Sequence, residues 1–377
     1  MTSLEKKPFF YPFIDGLRSL AILAVLSYHS ELGTHSGGVS LVISKILGTG
    51  GKGVDLFFVL SGFLITGILV RSKRKKNYLK SFFMRRVLRI FPLYYLVLFL
   101  TFFILPNFNH PNLEKWSSVE PFWYFTYLSN FYIGLRGQFS HGIVDLSWSL
   151  AIEEQFYLLW PFVVLFFSKE SLKKVCLGIV LFTFLTRIIL AESGYSRLFI
   201  YTFTLCRVDA LVLGALASLL YEEGHEVLIF IKSHISKLLL SSILIFSTCN
   251  FLGIYNSSLR LSLSYSMVGL SFFFILIYLL KENELGDSWA IKNLEKKWPL
   301  LIGKYSYGIY LFHNPIQAAI RPFFLNALSL YSSEAWGIFV QLIFITLVTI
   351  LATLLAWMSF ELFEKHFIKM KKKFSVG

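Results

Sequence analysis

The first apolar segment of the chain, residues 14–29, reads IDGLRSLAILAVLSYH and decides the fold. It has the composition of a membrane helix, yet Arg18 and His29 stand eleven residues apart within it. Eleven residues is close to three helical turns, so the two side chains share one face, separated by roughly 16 Å along the axis. Because charge at bilayer depth costs several kcal/mol, such residues are usually kept for a function. We therefore predict a functional site on this face, with His29 as its chemical group.

The composition extends this interpretation to the whole chain. Of its 377 residues, 55% are hydrophobic and 40 are Phe, and several apolar stretches reach about 20 residues, the length that crosses a bilayer. We predict an all-α, polytopic transmembrane helix bundle that forms a single membrane domain, residues 1–377. Its core lies at about 13–364, and residues 365–377 form a basic cytoplasmic tail.

Ten apolar spans can be drawn, at approximately 13–33, 54–70, 91–105, 148–168, 175–191, 199–220, 236–256, 261–280, 299–320 and 335–363. The aromatic segment 122–133 is short, so we expect it to be interfacial or re-entrant. Most Lys and Arg residues then fall in loops on one side, which places both termini in the cytoplasm. This asymmetry accounts for the net charge of +14, so we predict contacts with membrane lipids and no nucleic-acid partner.

His29 and Asp55 lie towards the outer ends of the first two spans. Imidazole suits general-base chemistry because it exchanges protons near neutral pH. Asp55, in the string GVDLFFVLSGF that begins at Gly53, could hold the imidazole in one tautomer as the third group of a triad does. The alternatives are a histidine that only packs and an aspartate that only caps a helix.

A basic and aromatic stretch, KSFFMRRVLRIFP at residues 80–92, precedes the third span. Such a segment commonly binds anionic lipid headgroups at the membrane surface. Arg86 and Arg89 are i,i+3 neighbours, so they could instead clamp phosphates.

Further polar groups fall within the spans. Glu153 and Tyr157 share a helix face, whereas the adjacent Glu153 and Glu154 point in different directions, so we expect at most one of the two glutamates to face a site. We favour a structural role for each of the remaining polar groups, many of which could form mutually neutralising pairs: Arg207, Asp209, His313, Asn314, Glu361 and Glu364.

Together these strings resemble the acyltransferase-3 family of membrane acyltransferases, over nearly the whole chain from Phe13 to about Glu364. The resemblance rests on six motifs in order: Arg18-x10-His29, the string from Gly53, Arg86-x-x-Arg89, the SLxxExxFY string from Ser149, Arg207-x-Asp209 and Tyr310-x-x-His313. It implies ten spans and an acyl-CoA donor (acetyl-CoA or another acyl-CoA) that enters from the cytoplasm. It also implies an acceptor hydroxyl near the opposite side. We expect no metal, because the sequence has no zinc motif and no Cys/His metal spacing.

The resemblance further implies roles for individual residues. Arg86 and Arg89, with Arg85 beside them, would meet the phosphates of coenzyme A. His29, oriented by Asp55, would deprotonate the acceptor, while Arg18 would lie beside the donor. Glu153 completes the predicted catalytic set.

We therefore predict an O-acyltransferase of the bacterial inner membrane that moves an acyl group, most simply acetyl, to a glycan or lipid-linked sugar. Some family members carry a C-terminal SGNH-type domain; the sequence stops soon after Glu364, so we expect none here and expect any further transfer step to need a partner protein. Two other classes compete: a transporter of an acyl donor or sugar that uses the buried charges, and a non-catalytic exporter or scaffold. A transporter should contain paired halves with broken helices, and the sequence has no such symmetry.

Overall fold

The computed structural model describes residues 11–33, 38–107, 119–223, 233–238, 240–242, 244, 258–286, 288–329 and 333–374. Within these ranges the regular structure is helical throughout, without strands. The chain is an all-α, multi-pass membrane helix bundle, which confirms the predicted fold class.

Fifteen α-helices have both ends given in the described ranges: α1 Pro12–His29, α2 Gly38–Thr49, α3 Gly53–Ser72, α4 Tyr78–Phe99, α5 Phe122–Phe125, α6 Ser129–Arg136, α7 Ser147–Phe166, α8 Lys169–Glu192, α9 Arg197–Thr202, α10 Val208–Glu223, α11 Ser258–Leu285, α12 Trp289–Leu294, α13 Lys297–Ser329, α14 Glu334–Ser359 and α15 Lys365–Met370. The described residues within 233–244 are helical as well. Serine side chains cap three of them. Ser168, Ser196 and Ser333 each accept a hydrogen bond from the backbone N–H three residues later, which satisfies a donor that the helix leaves unpaired.

Six helical stretches among the described residues are long and apolar enough to cross a membrane: Gly38–Ser72, Tyr78–Asn107, Ser147–Phe166, Lys169–Glu192, Ser258–Leu285 and Glu334–Phe374. The first and ninth predicted spans appear as α1 and α13, of 18 and 33 residues. The sixth is divided near Phe203 into α9 and α10. The seventh, 236–256, lies mostly outside the described residues. The count of ten spans and the cytoplasmic termini stay predictions.

The aromatic segment 122–133 forms two short helices, α5 of four residues and α6 of eight. Tyr127, between them, has a positive φ of 55°. Neither helix alone is long enough to cross a bilayer.

Close helix packing around α1 and α3 depends on glycines. A Cβ atom at Gly303 of α13 would lie 1.8 Å from the carbonyl oxygen of Asp15 in α1. At Gly62 of α3 it would lie 1.7 Å from the carbonyl oxygen of Leu211 in α10. Any larger residue would force these helices apart, as expected where small residues let membrane helices approach closely.

Two fully buried arginines form ion pairs that link α3, α8 and α10. Arg207 bonds Asp55 at 2.6 Å, and Arg187 bonds Asp209 at 2.8 Å. Arg187 also donates to Ser266 and to the carbonyl oxygen of Cys206. Arg207 and Asp209 are therefore neutralised as predicted, although each by a partner from another helix.

Candidate functional site

A first cavity, of about 260 Å³, lies between α1, α3, α4, α7 and α13. We call it the arginine-lined cavity because three arginines, Arg18, Arg86 and Arg89, face it. The side chains of α3 give it an apolar wall: Val54, Phe57, Phe58, Leu60, Leu64, Ile65 and Ile68. It thus combines three guanidinium groups with apolar surface.

The arginines share this cavity with acidic and phenolic groups. Arg18 forms a long ion pair with Asp15, at 3.5 Å. The guanidinium of Arg86 lies 5.5 Å from the ring centroid of Tyr157, whose hydroxyl contacts both Ser61 and, at 3.2 Å, Glu153. The predicted common face of Glu153 and Tyr157 is therefore confirmed.

One detail of the sequence prediction is wrong at this cavity. Glu153 and Glu154 both line it, because the cavity wraps around enough of α7 to meet side chains that point in different directions. Arg85, predicted beside the phosphates, is exposed and is not among the residues that line the cavity, and its role in phosphate binding stays a prediction.

A second cavity, of about 600 Å³, contains His29 and lies at the other end of the same helices. We call it the histidine-lined cavity; its walls carry polar and aromatic side chains, namely Tyr28, His29, Glu31, Phe139, His141, Asp145, Trp148, Tyr201, Asn314, Gln317 and Arg321. Asp145 is held by the hydroxyl of Tyr124 and the backbone N–H of Gly142, each 2.6 Å away.

The two cavities follow each other along three helices. On α1 the lining passes from Arg18 to Tyr28, and on α7 it passes from one cavity to the other between Ser149 and Trp148. On α13 it passes from Tyr310 to Asn314. The hydroxyls of Ser149 and Tyr310, 2.7 Å apart, join α7 to α13 at this boundary. The helix face that Arg18 and His29 share therefore meets both cavities.

His29 has a histidine as its partner. Its Nδ1 lies 2.8 Å from Nε2 of His313, which is fully buried on α13. Nδ1 of His313 lies 3.3 Å from the carbonyl oxygen of Ile309, one turn earlier. From the sequence, His313 was expected to have a structural role, and the Tyr310-x-x-His313 motif is the signal that could have brought it to the site.

The predicted contact between Asp55 and His29 is not formed. The Asp55 carboxylate is buried and bonds Arg207 at 2.6 Å. The guanidinium of Arg207 lies 5.0 Å from the ring centroid of Tyr201 and 5.9 Å from that of Trp148, two residues that line the histidine-lined cavity. Asp55 therefore stands behind the wall of the cavity that His29 opens into.

Side chains of α13 and α14 hold the backbone at the end of α1. Arg321 donates to the carbonyl oxygens of His29, at 2.7 Å, and Glu31, at 2.9 Å. Gln341 of α14 accepts from the N–H of Leu32 and donates to the carbonyl oxygen of Ser30. A cation and an amide thus satisfy the last carbonyl of α1 and those of the two residues that follow, and they fix the backbone of His29.

Comparison with known proteins gives one family. The model of an acyltransferase domain, Acyl_transf_3, matches residues 11–358. Peptidoglycan O-acetyltransferase OatA of Listeria monocytogenes is 32% identical over 83% of this chain and 50% of its own length. O-acetyltransferase OatA of Staphylococcus aureus is 27% identical over 86% of this chain and 53% of its own length.

A third similar protein is the putative peptidoglycan O-acetyltransferase YrhL of Bacillus subtilis, 29% identical over 83% of this chain and 49% of its own length. The chain therefore spans about half the length of the curated relatives it matches. No solved structure matches.

Proposed function

This chain belongs to the acyltransferase-3 family, and we propose that it moves an acetyl group from acetyl-CoA to a hydroxyl of a cell-wall glycan, of the peptidoglycan type named for its relatives. One observation carries the proposal. Two cavities of different chemistry follow each other along α1, α7 and α13, one lined by arginines and the other containing His29.

The donor belongs in the arginine-lined cavity. Arginine binds phosphate oxygens through paired N–H groups, and coenzyme A carries several phosphates. Arg86 and Arg89, one turn apart on α4, are placed to meet them, with Arg18 deeper along α1. The apolar wall of α3 suits the uncharged arm that leads to the thioester.

The acceptor belongs in the histidine-lined cavity, with His29 as the general base. The imidazole takes the proton of the acceptor hydroxyl while the hydroxyl oxygen bonds to the thioester carbonyl carbon. The carbon–sulfur bond then breaks, and the leaving thiolate takes the proton back from the imidazolium. Because the two substrates enter different cavities, they meet at the boundary near Ser149 and Tyr310.

Glu153 and Asp55 act around this chemistry rather than on the transferred proton. Glu153 lines the donor cavity and bonds Tyr157, over which Arg86 lies, so it helps to arrange the arginines. Asp55 holds Arg207 against the wall of the acceptor cavity.

The arginine-lined cavity faces the cytoplasm of a bacterial inner-membrane protein in this proposal. The basic helix α15 and the turn Lys371–Phe374 pack against α4, which carries Arg86 and Arg89. Lys73, in the basic loop after α3, bonds the carbonyl oxygen of Phe167. Basic residues collect on the cytoplasmic side of membrane proteins, which supports this orientation.

Transfer of labelled acetyl from acetyl-CoA to peptidoglycan fragments by the purified full chain tests the proposal. We expect the wild type to transfer and His29→Gln to lose about 10²–10⁴ of the rate, the usual contribution of a general base. His366→Gln, the same change at an exposed histidine, should leave the rate unchanged. Wild-type protein that consumes no acetyl-CoA, or a His29→Gln protein with the wild-type rate, would contradict the proposal.

A further inference from the structure

We propose that His313 is a positioning residue that holds His29 in the one tautomer able to act as a base on the acceptor. The inference rests on the proposed function, because it concerns the same proton transfer. A buried residue of α13 thus has the orienting role that was expected of Asp55.

The carbonyl oxygen of Ile309 determines which nitrogen of His313 carries the proton. Its Nδ1 lies 3.3 Å from the carbonyl oxygen of Ile309, in a geometry that permits a hydrogen bond. A carbonyl oxygen can only accept, so Nδ1 of His313 carries the proton. A neutral imidazole has a single N–H, so Nε2 of His313 can only accept.

The position of the proton on His29 follows in turn. Its Nδ1 lies 2.8 Å from that accepting Nε2, so Nδ1 of His29 must be the donor. The remaining nitrogen of His29, Nε2, then keeps its lone pair. A general base needs this unprotonated nitrogen, and His29 lines the cavity assigned to the acceptor.

Burial and hydrogen bonds hold the pair in place. His313 is completely buried, and its ring packs 5.6 Å from the ring of Tyr310. The backbone of His29 is fixed by Arg321, which donates to its carbonyl oxygen at 2.7 Å. Both members of the pair are therefore immobilised before substrate arrives, as a site for proton transfer requires.

A neutral partner also fits the depth of the site. A buried carboxylate beside His29 would place a charge there throughout the catalytic cycle, at a large desolvation cost. With His313 the pair is uncharged at rest. When His29 takes the proton, its Nδ1–H bond to His313 becomes charge-assisted and strengthens.

The experiment compares His313→Gln, His313→Ala and His29→Gln in purified full-length protein, with kcat, the KM for acetyl-CoA and equilibrium binding of acetyl-CoA as readouts. The Gln amide oxygen can accept from Nδ1 of His29 in place of the lost imidazole nitrogen. We expect His313→Ala to lower kcat on the order of 10- to 100-fold, the worth of a hydrogen bond to a charged group. His313→Gln should restore most of that loss, and the KM for acetyl-CoA should stay unchanged in both.

If His29→Gln is inactive, as the proposed function requires, two results would overturn the inference about His313. If His313→Gln binds acetyl-CoA yet is as inactive as His29→Gln, then His313 itself transfers the proton. If His313→Ala keeps the wild-type kcat, the hydrogen bond orients nothing. Should His313→Ala fail to fold, as loss of acetyl-CoA binding would reveal, the kcat of His313→Gln decides alone. An active His29→Gln protein would instead refute the proposed function.

Discussion

The arginine-lined and histidine-lined cavities lie along the same helices, but they hold their polar groups differently. In the first, Arg18 forms a long ion pair with Asp15, at 3.5 Å, and Arg89 is exposed. In the second, His29 is fixed through its ring by His313 and through its backbone by Arg321. A cavity that binds a charged ligand needs cations that remain available, whereas proton transfer needs a group held in one orientation. The two ends of α1 are suited to these two tasks.

Asp55→Ala has the largest expected effect. We expect it to lower the stability of the fold rather than to change the binding of a ligand in either cavity. Removing the carboxylate leaves Arg207 buried without its counter-ion, which typically costs about 3–5 kcal/mol in the free energy of unfolding. Denaturation of the purified protein measures this. Asp15→Ala, whose side chain is 23% exposed in a pair of 3.5 Å, should cost less than about 1 kcal/mol. An Asp55→Asn protein of wild-type stability that transfers no acetyl would favour a direct catalytic role for the carboxylate.

Arg86→Ala and Arg89→Ala should affect only the donor side. Each removes hydrogen bonds to a charged phosphate, so the KM for acetyl-CoA should rise on the order of 10- to 100-fold while the KM for the acceptor stays constant. Arg85→Ala is the matched comparison from the same helix and should raise the KM much less, because Arg85 lies outside the cavity lining. Steady-state kinetics with each substrate varied in turn provides the measurement. If Arg85→Ala and Arg86→Ala raise the KM for acetyl-CoA equally, the phosphates bind at the exposed surface of α4 instead.

Asn314→Ala gives the smallest expected effect and probes the opposite end. Asn314 lines the histidine-lined cavity and donates to the carbonyl oxygen of Gly142. Its loss should raise the acceptor KM by about 2- to 10-fold, as for one neutral hydrogen bond, without a change in the KM for acetyl-CoA. If Asn314→Ala instead changes the KM for acetyl-CoA, the assignment of donor and acceptor to the two cavities is wrong.

Helical periodicity made one part of the site readable from sequence. The common stripe of Arg18 and His29, the proximity of Arg86 to Arg89 and the shared face of Glu153 and Tyr157 all follow from residues on a single helix. The structure places each of these sets on a cavity wall.

Partners from distant helices could not be read in this way. Asp55 meets Arg207, 152 positions later, and His29 meets His313, 284 positions later. Which helices adjoin is decided by packing, including the close approach at Gly303, and no local pattern encodes it. Asp55 and His29 were predicted to touch because both lie near the outer ends of the first two spans. Two side chains at the same depth in the membrane can nevertheless point in different directions.

Equilibrium binding of acetyl-CoA to His29→Gln and Arg86→Ala proteins, measured side by side at one ionic strength, tests the division between the two cavities most directly. Our account predicts wild-type affinity for His29→Gln and affinity weakened on the order of 10- to 100-fold for Arg86→Ala. Weakened binding by His29→Gln together with wild-type binding by Arg86→Ala would contradict it.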